Sequence, residues 1–282
     1  MTMPHGRGTA PSGDPMQLVW FHHAGGHGDS YRAMAAHLPS DWHVHLIEYP
    51  GRGALAHLPA HHNLAQLAAW LLPQITSLTQ QPFAFFGHSM GALVAHEVAR
   101  QMHEGQWPLP VWIGASGHRA PQLIRPLSEQ LHGLPDDALV DRLRRMGALP
   151  AHAITGDYLR LMRTDLRACE TRSTPCVSAT SALPCALSTF TGDADPMVQP
   201  QDMHPWSHQV SGRVRHHVLP GGHFFLAGVK RRQVLDLIVR DIEEAQLATT
   251  TFNTPFFAHA TSTSSSHHAR LGHRHLEDVD RR

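Results

Sequence analysis

The chain has 282 residues, 41% of them hydrophobic and 16% charged, enough apolar content for one large α/β domain or two small ones. Its 23 basic residues balance its 23 acidic ones, which argues against nucleic acid or an anionic membrane as the main partner, since both recruit a basic excess. No apolar run is long enough to span a bilayer, and the opening stretch MTMPHGRGTAPSGDP has no apolar signal segment, so a soluble cytoplasmic protein is expected.

Residues 1–15, polar and rich in Pro and Gly, are expected to be disordered. MQLVWFH at 16–22 reads as a buried strand running into the glycine-rich loop HAGGHGD. DSYRAMAAHL follows with helical spacing, and Asp29 or Ser30 is its expected cap. WHVHLIEY at 42–49 is a second strand, ended by Pro50-Gly51. In NLAQLAAWLLPQI, 63–75, Leu64, Leu67, Ala68, Leu71 and Leu72 share one helical face, and Pro73 is expected to end or kink the helix. FAFFGH at 83–88 is a third strand, 90–103 a helix, and PVWIGASG at 110–117 a fourth strand.

The alternation then stops. Between Ala120 and Pro184 there is no strand pattern, and LSEQLHGL, DDALVDRLRRMG and DYLRLMRTDLRACET all have helical periodicity, with Ser128 and Asp136 as caps. We read a helical insertion at about 121–182. CALSTFTGD, 185–193, and RVRHHVLPGGH, 213–223, resume the strands. Residues 225–247 close the domain with an amphipathic helix carrying Leu235, Ile238, Ile242 and Ala245 on one face. The domain is therefore placed at 16–248, and the Ser-, Thr- and His-rich tail 249–282 is expected to be disordered. Strands alternating with helices predict an α/β fold with a mostly parallel sheet covered on both faces, its sites at the carboxyl ends of the strands.

Histidine is abundant, at 26 residues, but no set of three or four falls at zinc-ligand spacing. HEVAR at 96–100 has Arg100 where a zinc-protease helix needs its second histidine, so no metal site is expected. Cys169, Cys176 and Cys185 are odd in number and lack a C-x-x-C spacing, which suggests reduced, inert thiols.

The chemistry sits at the strand ends. Gly87-His88-Ser89-Met90-Gly91 is a G-x-S-x-G sequence that ends a strand and begins a helix, the context of a nucleophile elbow; a plain tight turn is the alternative. Small residues at 87 and 91 let strand and helix approach, and the Met90 N–H at the helix start is placed to hold an oxyanion. A serine hydroxyl needs a base. His223, in a Gly-Gly loop past the last strand, is the candidate, and Asp193 and Asp195 both follow the preceding strand in the order Ser, Asp, His. The loop HHAGG, 22–26, offers a second oxyanion donor, the Ala24 N–H.

FHHAGGHGDSYRAMAAHLP, IEYPGRG, FFGHSMGALVAHEVAR, ASGHRAP, RTDLRACETR, TGDADPMV and LPGGHFFL occur in that order. Together they resemble the type II thioesterases, stand-alone α/β-hydrolases that accompany non-ribosomal peptide and polyketide synthases. The resemblance covers about 16–245. It implies Ser89 as nucleophile, His223 as base and Asp195 as orienting acid, since Gly192 to Asp195 matches the family's Gly-x-x-Asp. It implies that the insertion is a helical lid, and that the substrate is an acyl or peptidyl group on the phosphopantetheine arm of a carrier protein, with no cofactor of the enzyme's own. His22 stands where the family usually has proline, and His96 where an aromatic residue is common. Arg142, Arg144, Arg145, Arg160, Arg163 and Arg167 in the insertion could steer an acidic carrier protein, or form ordinary helix ion pairs such as Asp141–Arg145. A monomer is expected. The rival readings are a carboxylesterase for small soluble esters and a non-catalytic binding protein on the same fold.

Overall fold

A computed structural model describes residues 14–147, 155–172, 182–228 and 230–252. These residues form one six-stranded sheet: β1 (Gln17–Phe21), β2 (His43–Leu46), β3 (Phe83–His88), β4 (Trp112–Ser116), β5 (Ala186–Gly192) and β6 (Val214–Leu219). Every pairing is parallel, and the spatial order is β2-β1-β3-β4-β5-β6. The order reverses between β1 and β3, the place where open α/β sheets bind ligands.

Side chains alternate along each strand, so β1 and β3 feed two cores. Val19, Phe21, Phe83 and Phe85 point to one face, under α2 (Leu64–Thr76) and α3 (Met90–Glu104). Leu18, Trp20, Ala84 and Phe86 point to the other, against α7 (Arg231–Phe252), whose Val234, Leu235, Ile238 and Ile242 are buried there. Two buried faces explain why these strands read as continuous apolar runs. Burying each such aromatic or aliphatic side chain contributes roughly 2–3 kcal/mol.

The insertion supplies a third, smaller core. Leu139 and Leu143 on α4 (Asp136–Arg145) meet Leu159, Met162 and Leu166 on α5 (Gly156–Glu170). A short α1 (Arg32–Ala35) and α6 (Pro200–Met203) complete the α-helices among the described residues.

Several local expectations need correction. Pro73 does not end α2, which continues to Thr76. Pro73 and Ala69, whose carbonyl lost its partner, both lie on the solvent side, and buried Ile75 draws the last turn into the core. The DSYRAMAAHL helix is a 3-10 turn, Gly28–Tyr31, followed by the four residues of α1, and His27 rather than Asp29 or Ser30 occupies the cap. LSEQLHGL is helical only over Leu127–Glu129, because Pro126 and Pro135 bracket a segment too short for a stable α-helix; Ser128 lies inside that turn and caps nothing. Asp136 is the first residue of α4, with Pro135 at the cap. The closing helix begins at Arg231 and runs to Phe252, past the boundary drawn at 248. The rest of the tail and Cys176 lie outside the described residues. Cys169 and Cys185 are buried free thiols; burial pushes both pKa values up, that of Cys185 to about 12.

Candidate active site

The register of the sheet assembles the site. Phe21 of β1 pairs with Gly87 of β3, so the loop at 22–26 and the turn at 88–90 leave the sheet side by side. Gly192 of β5 pairs with Leu219 of β6, which does the same for Asp195 and His223. β4 lies between them, and its terminal Ser116 carbonyl accepts the Ser89 N–H at 2.7 Å.

Ser89 sits at φ 56°, ψ −119°, a conformation that L-residues rarely adopt, as a nucleophile elbow demands. Glycine is obligatory on both sides of it. A Cβ on Gly87 would lie 2.0 Å from the Gly91 carbonyl oxygen, and one on Gly91 would lie 2.1 Å from the Phe21 carbonyl oxygen.

His223 Nε2 lies 3.0 Å from Ser89 Oγ, and its Nδ1 lies 2.8 Å from Asp195 Oδ2. An ionised carboxylate only accepts, so Nδ1 carries the proton and Nε2 is free to accept the serine O–H. Asp195 is itself fixed: its Oδ1 accepts the Met197 N–H at 2.8 Å and the Val198 N–H at 3.3 Å. The choice between two aspartates is resolved spatially. Asp193 is exposed and accepts the Gly221 N–H at 2.9 Å, bracing the loop that carries His223.

Two further histidines crowd the site. His88 is buried, with Nδ1 3.0 Å from Ser116 Oγ and its ring centroid 5.1 Å from that of His223. Burial, then the neighbouring His223 and His23, hold its pKa well below the ordinary value. His23 Nδ1 is 2.8 Å from the Tyr31 hydroxyl; burial and then His22 lower its pKa to about 3. Both rings are therefore neutral wall groups near neutral pH.

Met90 opens α3, where first-turn amides have no intrahelical acceptor. Ala24 lines the same small chamber as Ser89. Its N–H has no acceptor among the described residues, whereas the amides after it are taken: Gly25 N–H by Asp165 Oδ2 at 2.8 Å and Gly26 N–H by the His23 carbonyl at 3.0 Å. His22, the first departure, lies at the start of this loop. It is fully buried, its ring 3.8 Å from that of Tyr49, and its Nδ1–H donates to the His23 carbonyl at 2.8 Å. His96, the second departure, packs against the Trp206 ring at 5.6 Å.

The chamber at Ser89 encloses about 30 Å³ and is roofed by Leu143, Met146, Met162, Leu166 and Met197. A cavity of about 600 Å³ adjoins it through His23 and Phe224. Another, of about 550 Å³, shares His223 and Phe224 and reaches Lys230.

One pair was missed by sequence reasoning. Arg52, in the PGRG turn, and Asp165, on α5, are 3% and 1% exposed and form a bidentate ion pair with both contacts at 2.7 Å. Burial works against the Arg52 charge, but Asp165 foremost, with Tyr49 and Glu48, outweighs it, and the guanidinium pKa is raised. The signal was Asp165 itself, a carboxylate on the helix face that carries Met162, Leu166 and Cys169.

The six helix arginines singled out as a steering patch divide. Arg145 pairs with Asp141 at 2.6 Å, Arg163 with Asp136 at 2.6 Å, and Arg160 with Asp157. Arg142, Arg144 and Arg167 are exposed. Among the described residues, no three His, Cys, Asp or Glu converge to hold a metal, and no helix is long and apolar enough to cross a membrane.

A thioesterase-domain family model matches residues 16–245. The probable cadicidin biosynthesis thioesterase of Streptomyces griseus is 34% identical over 238 residues, covering 82% of this chain; the chain spans only 63% of that relative's length. Among solved structures, the thioesterase RedJ from the prodiginine pathway of Streptomyces coelicolor superposes with a TM-score of 0.72 at 31% identity, covering 84% of this chain and 97% of RedJ. The type II thioesterase BorB from the borrelidin cluster gives 0.69 at 32% identity, covering 84% and 94%.

Proposed function

This chain belongs to the thioesterase family, and from that premise we propose that it hydrolyses acyl or peptidyl thioesters on the phosphopantetheine arm of a carrier protein, editing or releasing intermediates of polyketide or non-ribosomal peptide assembly. The observation that carries the reading is the buried line Ser89–His223–Asp195, with contacts of 3.0 and 2.8 Å.

The chemistry follows from the atoms. His223 Nε2 takes the Ser89 proton as Oγ attacks the thioester carbonyl carbon. The oxygen, now negative, is held by the N–H groups of Met90 and Ala24. Asp195 keeps the imidazole in the tautomer that accepts at Nε2 and stabilises the imidazolium. Collapse breaks the C–S bond, and the arm leaves as a thiol with the proton from His223. Water, deprotonated by the same nitrogen, then attacks the acyl-serine; the bond from the acyl carbon to Ser89 Oγ breaks, His223 returns the proton to Oγ, and the carboxylic acid leaves. Gly87, His88 and Gly91 shape the elbow. The reaction uses three side chains, two amides and water, and the arm enters as part of the substrate.

The same reading has the enzyme working as a cytoplasmic monomer beside its synthase. The exposed Arg142, Arg144 and Arg167 leave room for an acidic carrier protein, while Arg145, Arg160 and Arg163 serve their local acids. Turnover of an acyl-loaded carrier protein, measured against the matched oxygen ester, tests the substrate class. Preference for the carrier thioester is expected, and equal or better turnover of the ester would favour a carboxylesterase.

A further inference from the structure

We infer that Asp165 and Arg52 are positioning residues for the oxyanion donor, holding the 22–26 loop so that the Ala24 N–H is the amide left for the substrate. The inference rests on the function proposed above. The loop is gripped on both sides of Ala24. Before it, the Tyr49 hydroxyl donates to the His22 carbonyl at 3.2 Å. After it, Asp165 Oδ2 takes the Gly25 N–H at 2.8 Å, and Arg52 Nη1 reaches the Gly26 carbonyl at 3.5 Å. Gly25 has φ +67°, the left-handed conformation that lets two successive amides point in different directions, and only glycine adopts it without strain.

A carboxylate beside an oxyanion hole would by itself oppose the negative charge that develops there. Arg52 cancels that cost. Its guanidinium meets both Asp165 oxygens and lies 5.3 Å above the Tyr49 ring, so Asp165 can hold the Gly25 N–H as half of a neutral pair. One contact set therefore ties α5 of the insertion to the loop that carries Ala24. On this geometry α5 is a fixed wall of the site.

Two Asp165 variants separate positioning from simple stability. Both Asp165→Asn and Asp165→Ala abolish the ion pair, but only asparagine keeps an oxygen to accept the Gly25 N–H. With an acyl-loaded carrier protein as substrate, Asp165→Ala should lower kcat on the order of tenfold or more with KM little changed, because the donor acts in the transition state. Asp165→Asn should retain most of kcat while losing thermal stability to a similar degree. Equal kcat losses in the two variants, or a loss confined to KM, would overturn the inference. Amide hydrogen exchange on the wild type supplies a measurement that needs no variant. The Gly25 amide should be strongly protected and the Ala24 amide should not; similar rates at both would also overturn it. An inactive wild type would instead refute the proposed function and leave the exchange result to decide the clamp.

Discussion

At the nucleophile elbow, added methyl groups on Gly87 and Gly91 would meet backbone atoms at 2.0 and 2.1 Å. Above Ser89, what faces the substrate space is the ends of Met146, Met162, Met197, Leu143 and Leu166. The first region is built by backbone against backbone, which cannot yield without moving a strand. The second is built by unbranched or branched side chains, and methionine repacks cheaply. Reaction geometry and acyl preference are thus held by different materials, and the second can change while the first stays put.

The largest test of that division is Ser89→Ala. It should reduce carrier-thioester hydrolysis on the order of a thousandfold or more, because attack has no other nucleophile, while the denaturation midpoint barely moves. Gly91→Ala attacks the backbone side. Its Cβ would press on the Phe21 carbonyl, and we expect a stability loss of about 3 kcal/mol or more, read from urea denaturation. A mild effect would mean the elbow is softer than its contacts suggest.

Acid acts on the elbow side through its buried histidines, and His96 on α3, where burial lowers the pKa to about 4, is the one farthest from the reacting atoms. An unfolded histidine titrates near 6.5, so the unfolded state binds the extra proton first. Stability from this group is present above about pH 6.5 and is lost as pH falls towards about 4, with a slope of up to about 1.4 kcal/mol per unit. His96→Phe should reduce the slope of that part of the pH–stability curve by this group's share, the other buried histidines keeping theirs; an unchanged slope would assign the loss wholly to other groups. The smallest effect is expected in the cover. Met197→Ala should raise kcat/KM for acyl groups two or three methylenes longer by up to about tenfold, leaving short substrates nearly unaffected in an acyl-chain panel. A general fall across the panel would tie the cover to the chemistry after all.

The same contrast explains what could be read in the residues. Strands buried on both faces announce themselves as apolar runs, and the end of β3 coincides with the run that stops at His88. Ser89, His223 and the Ala-Gly-Gly loop were legible because each lies at such an end. Asp195 was separable from Asp193 only by the family pattern, since both follow the strand and only spatial placement shows which one meets His223. Helical periodicity alone misjudged 127–134, where flanking prolines decide; in α2 the periodicity was right, and the expectation that Pro73 could end the helix gives way to the core contact of Ile75. The Arg52–Asp165 pair joins residues 113 positions apart, and no local pattern specifies such a contact.

The Phe21–Gly87 and Gly192–Leu219 pairings also act as a ruler. A slip of one residue in either would carry a loop of the candidate site along the strand by about 3.3 Å and turn its side chains to the opposite core. Displacements of about 1 Å already cost catalysts on the order of a hundredfold. Small drift is therefore impossible in this direction: the pairing is either correct or wrong by a full step, and the packed rings of Phe21, Phe85 and Phe86 penalise the wrong step. Folding the sheet and calibrating the site are one event, so no separate adjustment is needed once the strands have found their partners.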